Sequence, residues 1–164
     1  MILLLACAVT ADTAPPAPDP IVPEEGEWAV SFAQTWEGDC VLEDMSTQQP
    51  ASSTWAIERE PVGFTLYDET GYPSGCTLDT AGTFACPDGV YDVSYHESGY
   101  DAVEYITSTV EGAFADSVTM DAALKITADC DGGDCAAVGT MYGDQFEYGC
   151  TAVAPFTGVW VGPA

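Results

Sequence analysis

Residues 75–86 read Gly75-Cys76-Thr77-Leu78-Asp79-Thr80-Ala81-Gly82-Thr83-Phe84-Ala85-Cys86. This stretch predicts a β-hairpin, because a three-residue loop that ends at Gly82 puts glycine where the backbone needs a positive φ. The strands then pair Leu78 with Phe84 and Cys76 with Cys86. Both thiols fall on one face of the hairpin, within range of a disulfide. We therefore expect a chain of short strands, tight turns and cross-strand disulfides.

The chain is strongly acidic for its length. Its 164 residues, enough for one domain with a sizeable core, carry 27 Asp and Glu against only Arg59 and Lys125, a net charge of −25. A surface of this sign repels phosphate backbones, so nucleic acid is excluded as a partner. It attracts cations and basic proteins. It also favours solubility in a salty medium, where charges are screened over about 8 Å.

Cysteine usage indicates an oxidising compartment. Of the seven cysteines, Cys7 stands apart near the N-terminus, and we expect the other six to form three disulfides. There is no Cys-x-x-Cys motif and His96 is the single histidine, which argues against a structural zinc or iron–sulfur site.

A second hairpin predicts the next disulfide. Gly132-Gly133 reads as a two-residue turn that sets Cys130 opposite Cys135. The same register continues to Leu124 opposite Met141. A second tight turn at Gly143-Asp144 adds two expected pairs, Met141 with Phe146 and Gly139 with Tyr148. One face stays apolar through both hairpins.

Period-two alternation runs through most of the chain and predicts β-strands. Trp28, Val30 and Phe32 alternate with smaller or polar residues, and no amphipathic helix of convincing length is found. About ten short strands in a sequential antiparallel meander predict an all-β domain, and a closed barrel is favoured over a two-layer sandwich because closure removes edge strands. Closure also makes neighbours of the two cysteines left over from the hairpins, so we expect Cys40 to pair with Cys150.

The N-terminus carries a short motif, Leu4-Leu5-Ala6-Cys7. It resembles the lipobox of bacterial lipoproteins, which implies cleavage before Cys7, lipid attachment to that cysteine, and export to the cell envelope. Ala8 after the cysteine resembles the outer-membrane sorting signal of a Gram-negative cell. Since the apolar run before Cys7 is shorter than an export signal needs, we expect the signal to begin upstream.

The expected organisation has three parts. Residues 1–6 form a truncated signal-like segment, and residues 7–25 form the lipid-attachment site with a proline-rich tether. Residues 26–164 form the disulfide-stapled β domain. Gly26-Glu27-Trp28, at its first strand, is similar to the Gly-x-Trp that opens lipocalin-type barrels, and this resemblance implies a barrel that binds a small apolar ligand.

Two clusters were considered as sites. Asp131 and Asp134, expected to be neighbours across the second hairpin turn, are candidate ligands for weakly bound Ca²⁺, although a solvated tight turn explains them as well. Asp92, Ser94 and His96 contain the residue types of a hydrolase triad. On one strand their side chains stand about 6.5 Å apart, which exceeds hydrogen-bond reach, so we expect a polar outer face and no catalysis.

Together the residues predict a non-catalytic, lipid-anchored envelope or surface protein with a structural or protein-interaction role and no cofactor. Its expected partners are the membrane, through the lipid, and basic proteins or cations. Two alternatives remain open. One is a lipocalin-like barrel that binds a small apolar ligand, and the other is a weak Ca²⁺-binding module.

Overall fold

The computed structural model describes residues 19–33, 35–40, 51–142 and 147–164, apart from the side chains of residues 88 and 89. Nine strands are found there: β1 (Gly26–Phe32), β2 (Glu37–Gly38), β3 (Ser52–Arg59), β4 (Phe64–Tyr67), β5 (Pro73–Leu78), β6 (Thr83–Ser94), β7 (Val103–Asp116), β8 (Thr119–Asp131) and β9 (Cys150–Gly162). One short helix, α1 (Cys135–Gly139), and two 3₁₀ turns, His96–Ser98 and Thr140–Tyr142, complete the described elements.

The strands form a closed barrel. Each long strand pairs antiparallel with the next one in sequence from β3 to β9, and β1 joins β3 to β9. Trp28, for example, lies opposite both Trp55 and Trp160. The short strand β2 pairs with the first part of β9. The predicted all-β meander and its closure into a barrel, here of eight strands, are therefore confirmed.

The hairpin of residues 75–86 has the expected register. Leu78 lies opposite Phe84, and Gly82 has a φ of 86° in the loop. The Asp79 side chain accepts hydrogen bonds from the backbone N–H groups of Ala81 and Thr83, which holds the turn. All three expected disulfides are present, with Cα–Cα distances of 4.0 Å for Cys76–Cys86, 5.8 Å for Cys130–Cys135 and 4.9 Å for Cys40–Cys150.

The second predicted hairpin is wrong, although its disulfide is right. After Gly132 the chain enters α1 rather than a strand, and Gly139 is buried within that helix. Leu124 consequently lies opposite Ala154 of β9 and not opposite Met141. Short apolar runs fit a strand and a buried helical turn equally well, and periodicity does not separate the two. Phe146 and the turn at Gly143-Asp144 lie outside the described residues.

The barrel has two unlike ends because its strands differ in length. Strands β6 to β9 have 12 to 14 residues, whereas β3, β4 and β5 have 8, 4 and 6. At the closed end all eight strands surround the core. At the other end the long strands continue past the short ones, and α1 covers part of their inner face. We call this second end the helix end.

The chain enters and leaves the barrel at the closed end. Glu27 pairs with Gly162, the last residue of β9. The preceding segment packs there too, since the Trp28 indole N–H donates to the Glu24 carbonyl and the Glu24 N–H donates to the Ser117 carbonyl. The indole N–H of Trp160, on β9, donates to the Glu25 carbonyl at 3.0 Å, so Glu24 and Glu25 link the start of β1 to the β7–β8 turn and to β9.

Candidate functional site

Aromatic side chains fill the barrel at its closed end. The ring centroids of Phe84 and Phe114 lie 4.9 Å apart, and those of Trp55 and Phe156 lie 5.0 Å apart. Trp28, which belongs to the Gly-x-Trp resemblance, is fully buried against Phe114. The core also contains these buried residues: Val30, Phe32, Ile57, Phe64, Leu66, Cys76, Cys86, Val110, Met120 and Ala154. Packed rings of this kind stabilise a core, and they leave the closed end solid.

A shallow depression of about 780 Å³ lies on the outer face of the barrel, over β5 to β8. Small side chains such as Ala85 and Ala123 form its floor, and Asp79 and Glu111 lie at its edge. It is an open surface feature, and its lining includes Leu78 and Phe84 of the hairpin of residues 75–86.

The inner face of the helix end holds a buried carboxylate. Glu104 is only 2% exposed and sits in a cross-strand row between Val93 and Cys130. Its Oε2 accepts hydrogen bonds from the hydroxyl groups of Tyr95 at 3.0 Å and Tyr142 at 2.8 Å. The two hydroxyl groups lie 3.0 Å from each other, which closes a triangle of polar atoms. We call Glu104, Tyr95, Tyr142 and Tyr148 the Glu104–tyrosine cluster.

Local sequence explains how Tyr142 reaches this carboxylate. The Cys130–Cys135 disulfide ties the start of α1 to the row that contains Glu104. The helix is short, and its Val138 is fully buried, so the following 3₁₀ turn (Thr140–Tyr142) is held close to the sheet. The disulfide and one apolar contact thereby fix a covering segment over the carboxylate.

Sequence reasoning missed this cluster. The sequence nevertheless contains an indication of it. Glu104 is an even number of residues from Ile106 and Val110, so on a strand it shares their otherwise apolar face. An acidic residue in that position either points into the core or marks the end of the strand. Tyr142, which covers this carboxylate, belongs to a segment that was expected to be a strand. The predicted strand pairing therefore did not bring Tyr142 and Glu104 together.

The phenols of the cluster hold their protons more tightly than usual. Burial, followed by the hydrogen bonds to Tyr95 and Glu104, raises the pKa of Tyr142 far above its ordinary value. Burial and the nearby charge of Glu104 raise the pKa of Tyr148 to about 12. The hydrogen bond with Tyr142 lowers the pKa of Tyr95, but burial and Glu104 together outweigh it and the net shift is upward. At neutral pH these groups are hydrogen-bond donors and not bases.

The two candidate Ca²⁺ ligands, Asp131 and Asp134, lie on either side of Gly132-Gly133 and make different contacts. Asp134 turns to another loop, where its Oδ2 accepts the N–H of Asp101 at 2.7 Å and its own N–H donates to the Asp101 carbonyl at 3.0 Å. Asp131 instead pairs with Val103 at the end of β8 and is exposed. Within the described ranges, no group of three or more His, Cys, Asp or Glu residues is arranged to hold a metal ion.

The expectation that Ser94 and His96 are too far apart is wrong. Strand β6 ends at Ser94 and a 3₁₀ turn begins at His96, which brings Ser94 Oγ to 3.3 Å from His96 Nδ1. His96 Nε2 lies 3.5 Å from Asp101 Oδ1, so the nearby acid is Asp101 and not Asp92. All three side chains are exposed, and solvent water competes for each contact.

Comparison with protein-family models, with curated proteins and with solved structures finds no match to this chain. In the part of the chain that the structure describes, no helix is long and apolar enough to cross a membrane. Cys7 and the lipobox-like residues lie outside that part.

Proposed function

We propose that this protein is an exported, non-catalytic β-barrel domain that is anchored to the cell envelope by lipid on Cys7 and binds cationic partners through its acidic surface. The observation that carries the proposal is the charge of −25, with 27 acidic side chains against two basic ones. Arg59 already contacts Glu25 at 3.6 Å, so the chain supplies few counterions of its own. A field of this strength draws cationic partners to the surface.

Export and anchoring rest on two kinds of residues. The three disulfides favour an oxidising compartment such as the bacterial periplasm or the cell surface. The Leu4-Leu5-Ala6-Cys7 motif supplies the lipid-attachment cysteine, and in a Gram-negative cell Ala8 directs the protein to the outer membrane. The proline-rich residues that follow act as a spacer between lipid and barrel.

An interaction role is favoured over the two alternatives. A carrier of small apolar ligands needs a hollow interior, whereas aromatic rings occupy the closed end here. A Ca²⁺ module needs several oxygens directed at one point, whereas the Asp134 carboxylate accepts a hydrogen bond from the Asp101 backbone N–H. The raised pKa values of Tyr142 and Tyr148 also disfavour general base catalysis by these phenols.

The test is binding of polylysine to the purified domain, measured by calorimetry over a series of salt concentrations. We expect binding at low salt that weakens steeply as salt rises, because screening shortens the range of the field. Neutral polyserine of the same length is the control and should not bind. Equal binding of both polymers, or no binding of polylysine at low salt, would overturn the proposed function.

A further inference from the structure

In the part of the chain that the structure describes, one edge of strand β6 has no neighbouring strand at the helix end. The pairing of β5 with β6 places Leu78 opposite Phe84, and continuing that register puts Pro73, the first residue of β5, opposite residue 89. Residues 90–94 therefore extend beyond β5. On their other side they pair with β7, from Val90 opposite Thr107 to Ser94 opposite Val103.

A break in the register marks where the free edge begins. Pro87 has no N–H to offer a neighbouring strand, and the β6–β7 pairing shifts by one residue between Pro87 and Val90. Among the described residues, β6 pairs beyond this shift with β7 alone. Within the described ranges, residues 90–94 therefore have a strand partner on one side only.

The register also identifies which backbone groups face outward. The N–H of Tyr95 donates to the carbonyl of Ala102 at 3.0 Å, so this is a hydrogen-bonded pair. Hydrogen-bonded and non-hydrogen-bonded pairs alternate along antiparallel strands. The N–H and C=O groups of Val90, Asp92 and Ser94 consequently point away from β7, toward the free edge.

Side chains beside this edge are suited to cover an added strand. Val90 is 59% exposed, and Tyr91 is 67% exposed although it shares the inner face with Ile106. Tyr142 and the adjacent Met141 are also exposed apolar residues at the helix end. An extended peptide laid along β6 would bring its inward side chains over these aromatic and apolar groups.

The acidic side chains near the free edge of β6 favour a basic peptide as the added strand. Asp92 lies on the edge itself, Glu97 and Asp101 follow in the next loop, and all three are exposed. The two basic residues of the chain, Arg59 and Lys125, lie on β3 and β8. A second copy of this chain, with the same charge of −25, is repelled.

We propose that β6 residues 90–94 form a strand-addition site for an extended peptide segment of a partner protein, in which basic and apolar residues alternate. The segment pairs antiparallel with β6, its apolar side chains lie beside Tyr91 and Val93, and its basic side chains lie beside Asp92. This inference rests on the proposed binding of cationic partners and names where and how one of them binds. Strand addition to an exposed sheet edge is a general mode of peptide recognition.

The probe is an eight-residue peptide of alternating Lys and Val with blocked ends, used with the complete disulfide-bonded domain. The peptide residues that hydrogen-bond to the backbone of Val90, Asp92 and Ser94 lie directly opposite them. Their side chains therefore share the outer face with Asp92, and in the proposed complex these peptide residues are the lysines. N-methylation at the lysines should weaken binding about tenfold or more, because several edge hydrogen bonds are lost. The isomer methylated at the valines has the same charge and composition, and its affinity should stay close to that of the parent peptide.

A matched pair of protein variants tests the same site from the other side. Asp92→Asn should weaken binding of the parent peptide about two- to fivefold, as expected for one cross-strand ion pair. Asp121→Asn removes the same charge from an exposed position on β8, which is paired on both sides, and should have a smaller effect. Amide hydrogen exchange at Val90, Asp92 and Ser94 should slow when the peptide is added.

The outcomes separate this inference from the proposed function. Equal affinities of the two methylated isomers, or equal effects of the two Asp→Asn changes, overturn the strand-addition site while polylysine still binds. Loss of all binding, polylysine included, overturns the proposed function itself. A domain that dimerises without peptide, with exchange already slow at Val90, Asp92 and Ser94, shows that a second copy takes the edge and overturns the choice of occupant.

Discussion

Cys40 and Cys150 are separated by 110 residues in the chain, yet their Cα atoms lie 4.9 Å apart and a disulfide joins them. Asp39 reinforces the contact, since its Oδ1 accepts the N–H of Thr151 at 2.7 Å. This bond fastens β2 to the first part of β9, while β1 pairs with the rest of β9. The seam of the barrel is thus held by backbone pairing at the closed end and by covalent bonding at the helix end.

Removing the seam disulfide should cost more stability than removing a local one. In the loop-entropy model the Cys40→Ser/Cys150→Ser variant loses about 4–5 kcal/mol of unfolding free energy, because the bond closes a long loop. The matched Cys76→Ser/Cys86→Ser variant should lose about 3 kcal/mol, since its loop is short. Urea unfolding of both variants measures the difference. A larger loss for the local pair would contradict the expectation.

Glu104 should stabilise the helix end. Glu104→Leu removes the acceptor of the Tyr95 and Tyr142 hydroxyl groups, and we expect a loss of about 1–3 kcal/mol in the free energy of unfolding. The control is Glu111→Leu on the same strand, an exposed position where a change within about 0.5 kcal/mol is expected. Similar unfolding midpoints in urea for the two variants would show that the buried hydrogen bonds contribute little.

Alkaline pH should destabilise the fold through the partly buried Tyr148. The pKa of Tyr148 rises from 10.0 to about 12 on folding, so the folded state holds the proton more tightly than the unfolded state. This contribution to stability is fully present below pH 10 and is lost as the pH rises toward 12. Thermal unfolding between these pH values should show a steeper decline for the natural chain than for Tyr148→Phe. Parallel declines would argue against the shift.

Calcium should have little specific effect. We expect Ca²⁺ to raise the melting temperature no more than a sodium chloride control of matched ionic strength, because diffuse screening of the acidic surface dominates. The Asp134 carboxylate accepts the backbone N–H of Asp101, and it would have to give up this bond to bind a cation together with Asp131. A large Ca²⁺-specific rise that disappears in Asp131→Asn/Asp134→Asn would reverse this conclusion.

Lipid attachment at Cys7 predicts a defined mature chain. Protein isolated from its native host should begin at Cys7 and carry the added mass of acyl chains, as the Leu4-Leu5-Ala6-Cys7 motif implies. Cys7→Ser should leave the protein unacylated and free of the membrane fraction. An unmodified Cys7 in the natural protein, or a mature chain that starts elsewhere, would refute the lipoprotein interpretation.

The sequence predicts this fold well where local chemistry sets the register. Glycine at position 82 and the paired cysteines determine the hairpin of residues 75–86, and alternation of apolar residues determines which face is buried. It fails at residues 135–142, where Ala, Val and Met suit a short helix as well as a strand. There the choice is made by tertiary packing, since β9 already fills the place beside β8.

The Ser94–His96 contact and the free edge of β6 depend on where strands end, which the alternation of apolar and polar residues does not specify. Ser94 and His96 meet because a strand ends between them, and a boundary shift of one or two residues is the least predictable feature of a sequence. The free edge on which we propose strand addition arises because β5 is shorter than β6, which the hairpin pattern alone does not reveal. Cysteine pairing was predictable for Cys76–Cys86 from the hairpin and for Cys40–Cys150 from closure of the barrel. The Cys130–Cys135 disulfide forms as expected, although the hairpin from which it was predicted is absent.

The antiparallel strand order has a consequence for how the domain faces its surroundings. The chain enters β1 at the closed end, so if Cys7 carries lipid, as we propose, the tether joins the barrel at that end. Strand β7, with 14 residues, extends about 40 Å and carries Glu104 to the opposite end. The free edge of β6 is then membrane-distal. A soluble cationic partner meets this edge before it reaches the lipid headgroups, which compete for the same positive charge.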